Sequence, residues 1–323
     1  MRIWSKTFGA KPEAGRALYI SMHGGGSAPA AVNEQQWENQ KRLYEPAEGI
    51  YVAPRAHTDA WNMWHQAPCD ALFARLIQDM VLCQEVDPNR VYLMGYSAGG
   101  DGVYQLAPRM ADYWAAAAMM AGHPNETRPD SLRNIGFALH MGADDSAFER
   151  NKVAAKWGEE LAALAAADAG AYRHVVKLHA GLGHWMQRKD AVAVPWMSTF
   201  RREMRPTKVV WLQDDVLHQS FYWLGTNEPV VGARCVVRRD AQAFTIEDHT
   251  GLKDLHLLLD DRMCDLDKPI SVCVAGKIVF EGLVPRSLAV INKTLEERGD
   301  LEAIFCAQLT VPLTAAAAPT QPR

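Results

Sequence analysis

A chain of 323 residues with 48% hydrophobic and 22% charged residues has the composition of a folded globular protein and the length of two domains. Its net charge of −4 supplies no electrostatic reason to bind nucleic acid or an anionic membrane. No apolar run is long enough to span a bilayer, Met1–Lys6 lacks the apolar core of a signal peptide, and the six cysteines show no metal-ligand spacing, so reduced thiols in a cytoplasmic protein are expected, or a secreted one if a leader has been removed.

Taken in chain order, strands expected at 17–22, 49–53, 90–95, 114–120, 135–141 and 174–179 alternate with helices, the pattern of a mostly parallel sheet covered on both faces. The first strand runs into His23-Gly24-Gly25-Gly26. A glycine-rich loop leaving a buried strand can turn bare N–H groups toward a reacting carbonyl oxygen, so Gly24 and Gly25 are candidate oxyanion-hole residues. Trp61-Asn62-Met63-Trp64-His65 precedes the next helix and is placed to wall a pocket with Trp61, Trp64 and His65.

The third strand ends in Gly95-Tyr96-Ser97-Ala98-Gly99. In so tight a strand-to-helix turn, a side chain two residues before or after the serine would collide with backbone, and both positions are glycine. Ser97 then stands exposed and strained at a helix N-terminus, whose dipole favours developing negative charge, and the N–H of Ala98 joins the oxyanion donors. Ala115 to Ala118 suit a tightly packed central strand, and His123, just beyond it, is placed to line the pocket.

A neutral hydroxyl attacks poorly, so Ser97 needs a base, and the base needs a carboxylate to fix its tautomer. Downstream, one strand ends in Gly142-Ala143-Asp144-Asp145 and the next in Ala180-Gly181-Leu182-Gly183-His184-Trp185. Both stand past the C-terminal ends of strands, where open α/β sheets place their ligand chemistry. Of the 11 histidines, His184 alone combines that placement with the order serine, acid, histidine. His140 and His179 lie within strands and are expected to pack. Tyr96 and Trp185 flank the triad members and complete a pocket lining suited to an apolar or aromatic ester. Val153, Trp157, Leu161 and Leu164 mark one apolar stripe on the helix after the acid.

From Arg205-Pro206 the rhythm changes. Short β-rich runs at 208–212, 221–224, 235–239, 243–247, 255–259 and 271–275, with one amphipathic helix near 287–297, suggest a small sandwich. The stretch 314–323 is expected to be a disordered tail.

In this order and spacing, the elbow, the His-Gly-Gly-Gly loop, the Gly-x-x-Asp strand end and the Gly-His-Trp turn resemble a serine hydrolase of the α/β-hydrolase fold. Within it, the chain is similar to polyhydroxybutyrate-depolymerase and feruloyl-esterase-like carboxylesterases, above all to relatives with an appended C-terminal β domain. The motifs carry the resemblance over roughly residues 15 to 204. It implies an α/β-hydrolase catalytic domain over 1–204 and a β-rich, sandwich-like domain over 205–313. In such esterases the acid stands three residues after the strand-end glycine, which is Asp145, leaving Asp144 to hold the turn. Ester cleavage through an acyl-enzyme follows, with no metal or organic cofactor, on a small-molecule or polymer-end ester; acetyl, feruloyl, short aliphatic and polyester substrates all stay open, as does a homo-oligomer formed through the C-terminal domain.

The chain departs from the fold at its start. Only some 16 residues precede the first central strand, so the antiparallel strands that usually open the sheet are expected to be missing or much reduced, which suggests a minimal six-stranded core or a truncated chain. A serine peptidase of the prolyl-oligopeptidase type is the rival reading, since the same triad serves both reactions. A noncatalytic binding module is the third, and a broken triad would favour it.

Overall fold

In a computed structural model of the chain, which describes residues 1–313, the residues divide into two compact units, one spanning Met1–Glu203 and the other beginning at Met204. The first unit holds β1 (Arg2–Phe8), β2 (Arg16–Met22), α1 (Ala30–Gln40), β3 (Gly49–Arg55), α2 (Pro68–Gln84), β4 (Val86–Tyr96) and α3 (Ala98–Arg109). It continues with β5 (Ala116–Met120), β6 (Gly136–Gly142), α4 (Arg150–Ala167), β7 (His174–His179) and α5 (Ala193–Met197).

Its strands form one seven-stranded sheet in the order β1-β3-β2-β4-β5-β6-β7. From β3 to β7 all neighbours are parallel; β1 alone runs antiparallel, beside β3. Every residue of β3, β5 and β6 is buried, which is why these strands read as continuous apolar runs instead of alternating ones. The result is the mostly parallel, helix-covered sheet expected of the resemblance.

The expected six-stranded core is corrected to seven strands. Arg2–Phe8 has no buried residue and pairs through its backbone, register Arg2 to Arg55 and Phe8 to Gly49. An edge strand carrying arginine and lysine resists pairing with other chains, and the same exposure removes the apolar signal that would reveal it. Strand order reverses at β2 and β4, and the ends of β2, β4, β6 and β7 open onto one rim of the sheet, the position where such sheets hold ligands.

The second unit contains β8 (Lys208–Leu212), β9 (Ser220–Phe221), β10 (Leu224–Gly225), β11 (Arg234–Asp240), β12 (Ala243–Thr250), β13 (Asp254–Leu259), β14 (Ile270–Val274), β15 (Lys277–Gly282), α6 (Leu288–Arg298) and β16 (Ala307–Pro312). They form a five-stranded sheet, β15-β14-β12-β11-β8, and a four-stranded one, β16-β13-β10-β9. Trp211 of the first stacks on Phe221 of the second at 5.7 Å, so the sheets share a core in the manner of a sandwich.

Three details differ from expectation. The run 221–224 is two short strands broken by Tyr222 in a left-handed conformation (φ 55°), and the strands β15 and β16 were not foreseen, because β15 exposes Lys277, Ile278 and Val279. The expected tail at 314–323 lies outside the described residues. Among the described residues, no helix is long and apolar enough to cross a membrane.

Candidate active site

The turn from β4 into α3 holds Ser97 at φ 58° and ψ −121°, a conformation that costs a non-glycine residue on the order of 1–3 kcal/mol. Two glycines permit it. A Cβ on Gly95 would come 2.2 Å from the Gly99 carbonyl oxygen, and one on Gly99 would come 2.2 Å from that of Met22. The Ser97 N–H donates to the Met120 oxygen at 2.9 Å, tying the elbow to the neighbouring strand.

His184 and Asp145 converge on this serine. The ring nitrogen Nδ1 lies 2.7 Å from Asp145 Oδ2 and Nε2 lies 2.9 Å from Ser97 Oγ. A carboxylate can only accept, so Nδ1 carries the proton and donates, leaving Nε2 to accept from the serine hydroxyl. Asp145 is buried while Asp144 is exposed and donates its N–H to the Leu182 oxygen at 2.9 Å; of the adjacent aspartates, Asp145 is the one that meets the ring. The Asp145 backbone is itself held, its N–H on the Gly142 oxygen and its carbonyl accepting from Asn151 N–H.

Tyr96 has a role that residue type alone did not reveal. Its hydroxyl donates to the His184 carbonyl at 2.6 Å and accepts from the Met186 N–H at 2.9 Å, so the residue before the serine grips the loop that carries the histidine.

The His-Gly-Gly-Gly loop is fixed from within. His23 is buried, with Nε2 3.1 Å from the Ala56 nitrogen and Nδ1 2.6 Å from the Gly24 carbonyl oxygen. An amide N–H can only donate, so Nε2 accepts and Nδ1–H donates to Gly24. Burial pushes the His23 pKa down to about 4, keeping the ring neutral and that tautomer occupied. In a trans peptide the N–H points opposite to the carbonyl; with the Gly24 carbonyl facing His23, the Gly25 N–H faces away from it. The loop abuts the serine, since a Cβ on Gly24 would stand 3.0 Å from Ser97 Cβ. Gly25 itself has φ 111°, and a Cβ there would come 2.2 Å from Asn33 Oδ1. Ala98 opens α3, whose first N–H groups have no intrahelical acceptor.

Two cavities meet at Ser97. One, of about 470 Å³, is lined by Gly26, Trp61, Asp101, His123, Phe148 and Arg150 among others. The other, of about 570 Å³, is lined by Gly24, Gln36, Leu43, Tyr96, His184 and Trp185 among others. Of the residues expected at the pocket, Trp61 and His123 face the first and Tyr96 and Trp185 the second.

Trp64 and His65 are corrected: neither lines either cavity. Trp64 is 1% exposed, donates Nε1–H to the His23 oxygen at 2.8 Å and packs on Phe73. His65 is buried beneath Trp61, and its carbonyl accepts from Arg109, which also pairs with Asp70. The 61–65 segment is a tight turn, and its alternation of inner and outer residues follows no regular period. Asp101 and Arg150 are the site residues that sequence reasoning missed. Asp101 accepts the His123 N–H at 2.6 Å, and burial raises its pKa to about 6. Its signal was its place four residues after Ser97, on the same face of α3. Among the described residues no group of three His, Cys, Asp or Glu side chains is arranged to hold a metal ion.

No family model matches the chain. A stretch of 136 residues is 32% identical to the Nocardia uniformis subsp. tsuyamanensis protein named "Putative esterase NocK", covering 37% of this chain and 38% of that protein. The match thus spans well under half the length of this curated relative. Among solved structures, a thermostable esterase aligns with a TM-score of 0.45 at 16% identity over 62% of this chain and 59% of its own. A ferulic acid esterase aligns with a TM-score of 0.41 at 15% identity over 61% and 98%. The Bacillus cereus carboxylesterase aligns with a TM-score of 0.40 at 12% identity over 62% and 94%.

Proposed function

We propose that the chain hydrolyses carboxylic esters through a covalent acyl-enzyme, with Ser97 as nucleophile, His184 as general base and acid, and Asp145 as the carboxylate that orients the base. The observation that carries this reading is the unbroken relay from Asp145 Oδ2 through His184 to Ser97 Oγ, at 2.7 and 2.9 Å. In the first half-reaction the Ser97 proton passes to His184 Nε2 as Oγ attacks the ester carbon. The carbonyl oxygen becomes an oxyanion, held by the N–H groups of Gly25 and Ala98. Collapse breaks the bond to the alcohol, whose oxygen takes the proton from His184. Water then enters, gives its proton to His184 and attacks the acyl carbon; the same donors hold the second oxyanion, and the acid leaves as Ser97 Oγ recovers its proton.

Acyl transfer by such a relay requires no further group, and the cavities at Ser97 combine aromatic walls from Trp61, Phe148 and Trp185 with polar side chains. We place bond cleavage in the first unit, and substrate capture or packing in the second. Purified protein assayed on p-nitrophenyl esters of graded acyl length, beside aminoacyl p-nitroanilides, tests the proposal. Ester turnover that is lost in Ser97→Ala is the expected result. Turnover of the anilides alone would move the chain to the peptidases, and turnover unchanged in Ser97→Ala would end the serine mechanism.

A further inference from the structure

We infer that the cavity between Ser97 and Arg150 takes an acyl group ending in a carboxylate, bound by the Arg150 guanidinium. This rests on the ester-hydrolase reading, which assigns the two cavities. The leaving oxygen must lie within hydrogen-bond reach of His184 Nε2 to be protonated. The alcohol therefore belongs in the cavity lined by His184, Tyr96 and Trp185, and the acyl chain takes the other, whose lining includes Arg150.

Arg150 is held in place but poorly satisfied. Its side chain is 15% exposed, its Nη1 reaches only the Ala147 oxygen at 3.5 Å and Asp145 Oδ1 at 3.9 Å, and its buried Nε has no hydrogen-bond partner among the described residues. A guanidinium carries five donors in one plane, and buried donors without acceptors are rare in folded proteins. The protein carboxylates nearby do not complete it: Asp145 Oδ1 at 3.9 Å is too far for a hydrogen bond, and Asp101 acts on Arg150 through space only. Asp145 Oδ2 takes the His184 ring, and Asp101 takes the His123 N–H.

The backbone beside it is shaped for this role. Phe148 and Glu149, directly before α4, both lie in the left-handed region at φ 54° and 55°, and consecutive non-glycine residues in that region are uncommon. The strained turn sets the Phe148 ring, 77% exposed, against the Arg150 guanidinium at 4.8 Å. Stacking fixes the plane of a guanidinium while leaving its edge donors open, the arrangement that receives a carboxylate through two parallel hydrogen bonds.

The test compares kcat/KM for p-nitrophenyl hydrogen adipate with that for its neutral isostere, p-nitrophenyl 6-methylheptanoate, on the whole chain at pH 8. The wild type should prefer the anionic ester, and Arg150→Gln should lower the anionic-to-neutral ratio by roughly tenfold to a hundredfold, with Arg150→Lys in between. Wild-type preference for the neutral ester overturns the inference and leaves the hydrolase reading standing, and this measurement needs no variant to fold. An equal fall of both esters in Arg150→Gln also overturns it, because Arg150 would then act through Asp145 alone. No turnover of either ester overturns the hydrolase reading, and this inference with it.

Discussion

The two units place their strained backbone differently. In the first, residues such as Glu85, Tyr172 and Gly170 have left-handed φ at ordinary turns and helix ends, but Gly25, Gly26, Ser27, Ser97, Asn125 and Phe148 have it too, and these six line the two cavities that meet at the serine. In the second, Tyr222, Gly232, Ala241, Gly251, Ala275, Gly276 and Gly299 have it, and these sit at the connections between β9 and β10, β10 and β11, β11 and β12, β12 and β13, β14 and β15, and after α6. Turns between adjacent strands and helix ends demand such conformations wherever they occur. A cluster drawn from four separate loops around one hydroxyl has no such architectural reason and marks a site. Buried polar groups divide in the same way. Arg205 of the second unit pairs with Asp260 and donates to the carbonyls of Glu302 and Ile304, a closed structural network, whereas the polar groups around Ser97 converge on open space.

That contrast can be broken most directly at the relay. Ser97→Ala and His184→Ala should each lower kcat by ~10⁵-fold, and steady-state turnover near wild type in either would erase the distinction between the units. Asp145→Asn keeps the shape but permits the wrong imidazole tautomer, a defect of ~10⁴-fold in kcat. Asp144→Asn, one residue away and exposed, should stay within about tenfold; the reverse order, with both proteins folded by circular dichroism, would shift the acid. Gly25→Ala forces a Cβ toward Asn33 Oδ1 and disturbs the peptide proposed to hold the oxyanion. Loss of one such donor is worth ~10²-fold in kcat with KM little changed, read by steady-state kinetics beside a thermal melt.

Smaller effects sharpen the comparison. Burial holds both His23 and His140 down to a pKa of about 4. Since an unfolded histidine titrates near 6.5, the unfolded chain binds more protons between those values, so stability is full above about pH 6.5 and declines as pH falls toward 4. Each ring contributes on the order of 3 kcal/mol to that decline. Urea denaturation at pH 7 and pH 4.5 should show it, and His140→Phe should flatten the slope; an unchanged slope would mean that the ring is solvated. In the second unit, Thr294 Oγ1 accepts the Phe305 N–H at 3.1 Å. Thr294→Val should cost about 1–2 kcal/mol in denaturation and leave ester turnover untouched.

The parts of the site that follow from steric necessity were legible in the residues. Only glycine fits at positions 95 and 99, and the sequence order of serine, acid and histidine follows the order of strands in the sheet. What depends on direction was not legible. Trp61 and Trp64 are the same residue type three positions apart, yet one is half exposed and the other buried, because a turn has no period from which facing can be read. Arg150 looks like an ordinary charge on a helix N-terminal turn until the two strained residues before it are seen to aim it inward. β1 escaped for the opposite reason: it is held by backbone pairing and half-exposed side-chain contacts such as Trp4 on Tyr51, and no buried side chain advertises it.

The Tyr96 hydroxyl has a mechanical meaning beyond its two hydrogen bonds. Ser97 and His184, the proposed nucleophile and base, lie 87 residues apart in the chain and on strands separated by three spacings of the sheet, roughly 14 Å. If the sheet alone set their separation, every small change of twist between β4 and β7 would alter the gap across which the proton moves. The phenol bypasses the sheet. One rigid ring, rooted beside the serine and gripping the main chain at 184 and 186, makes elbow and histidine loop travel together, so twisting of the sheet is absorbed elsewhere than in the distance from Oγ to Nε2.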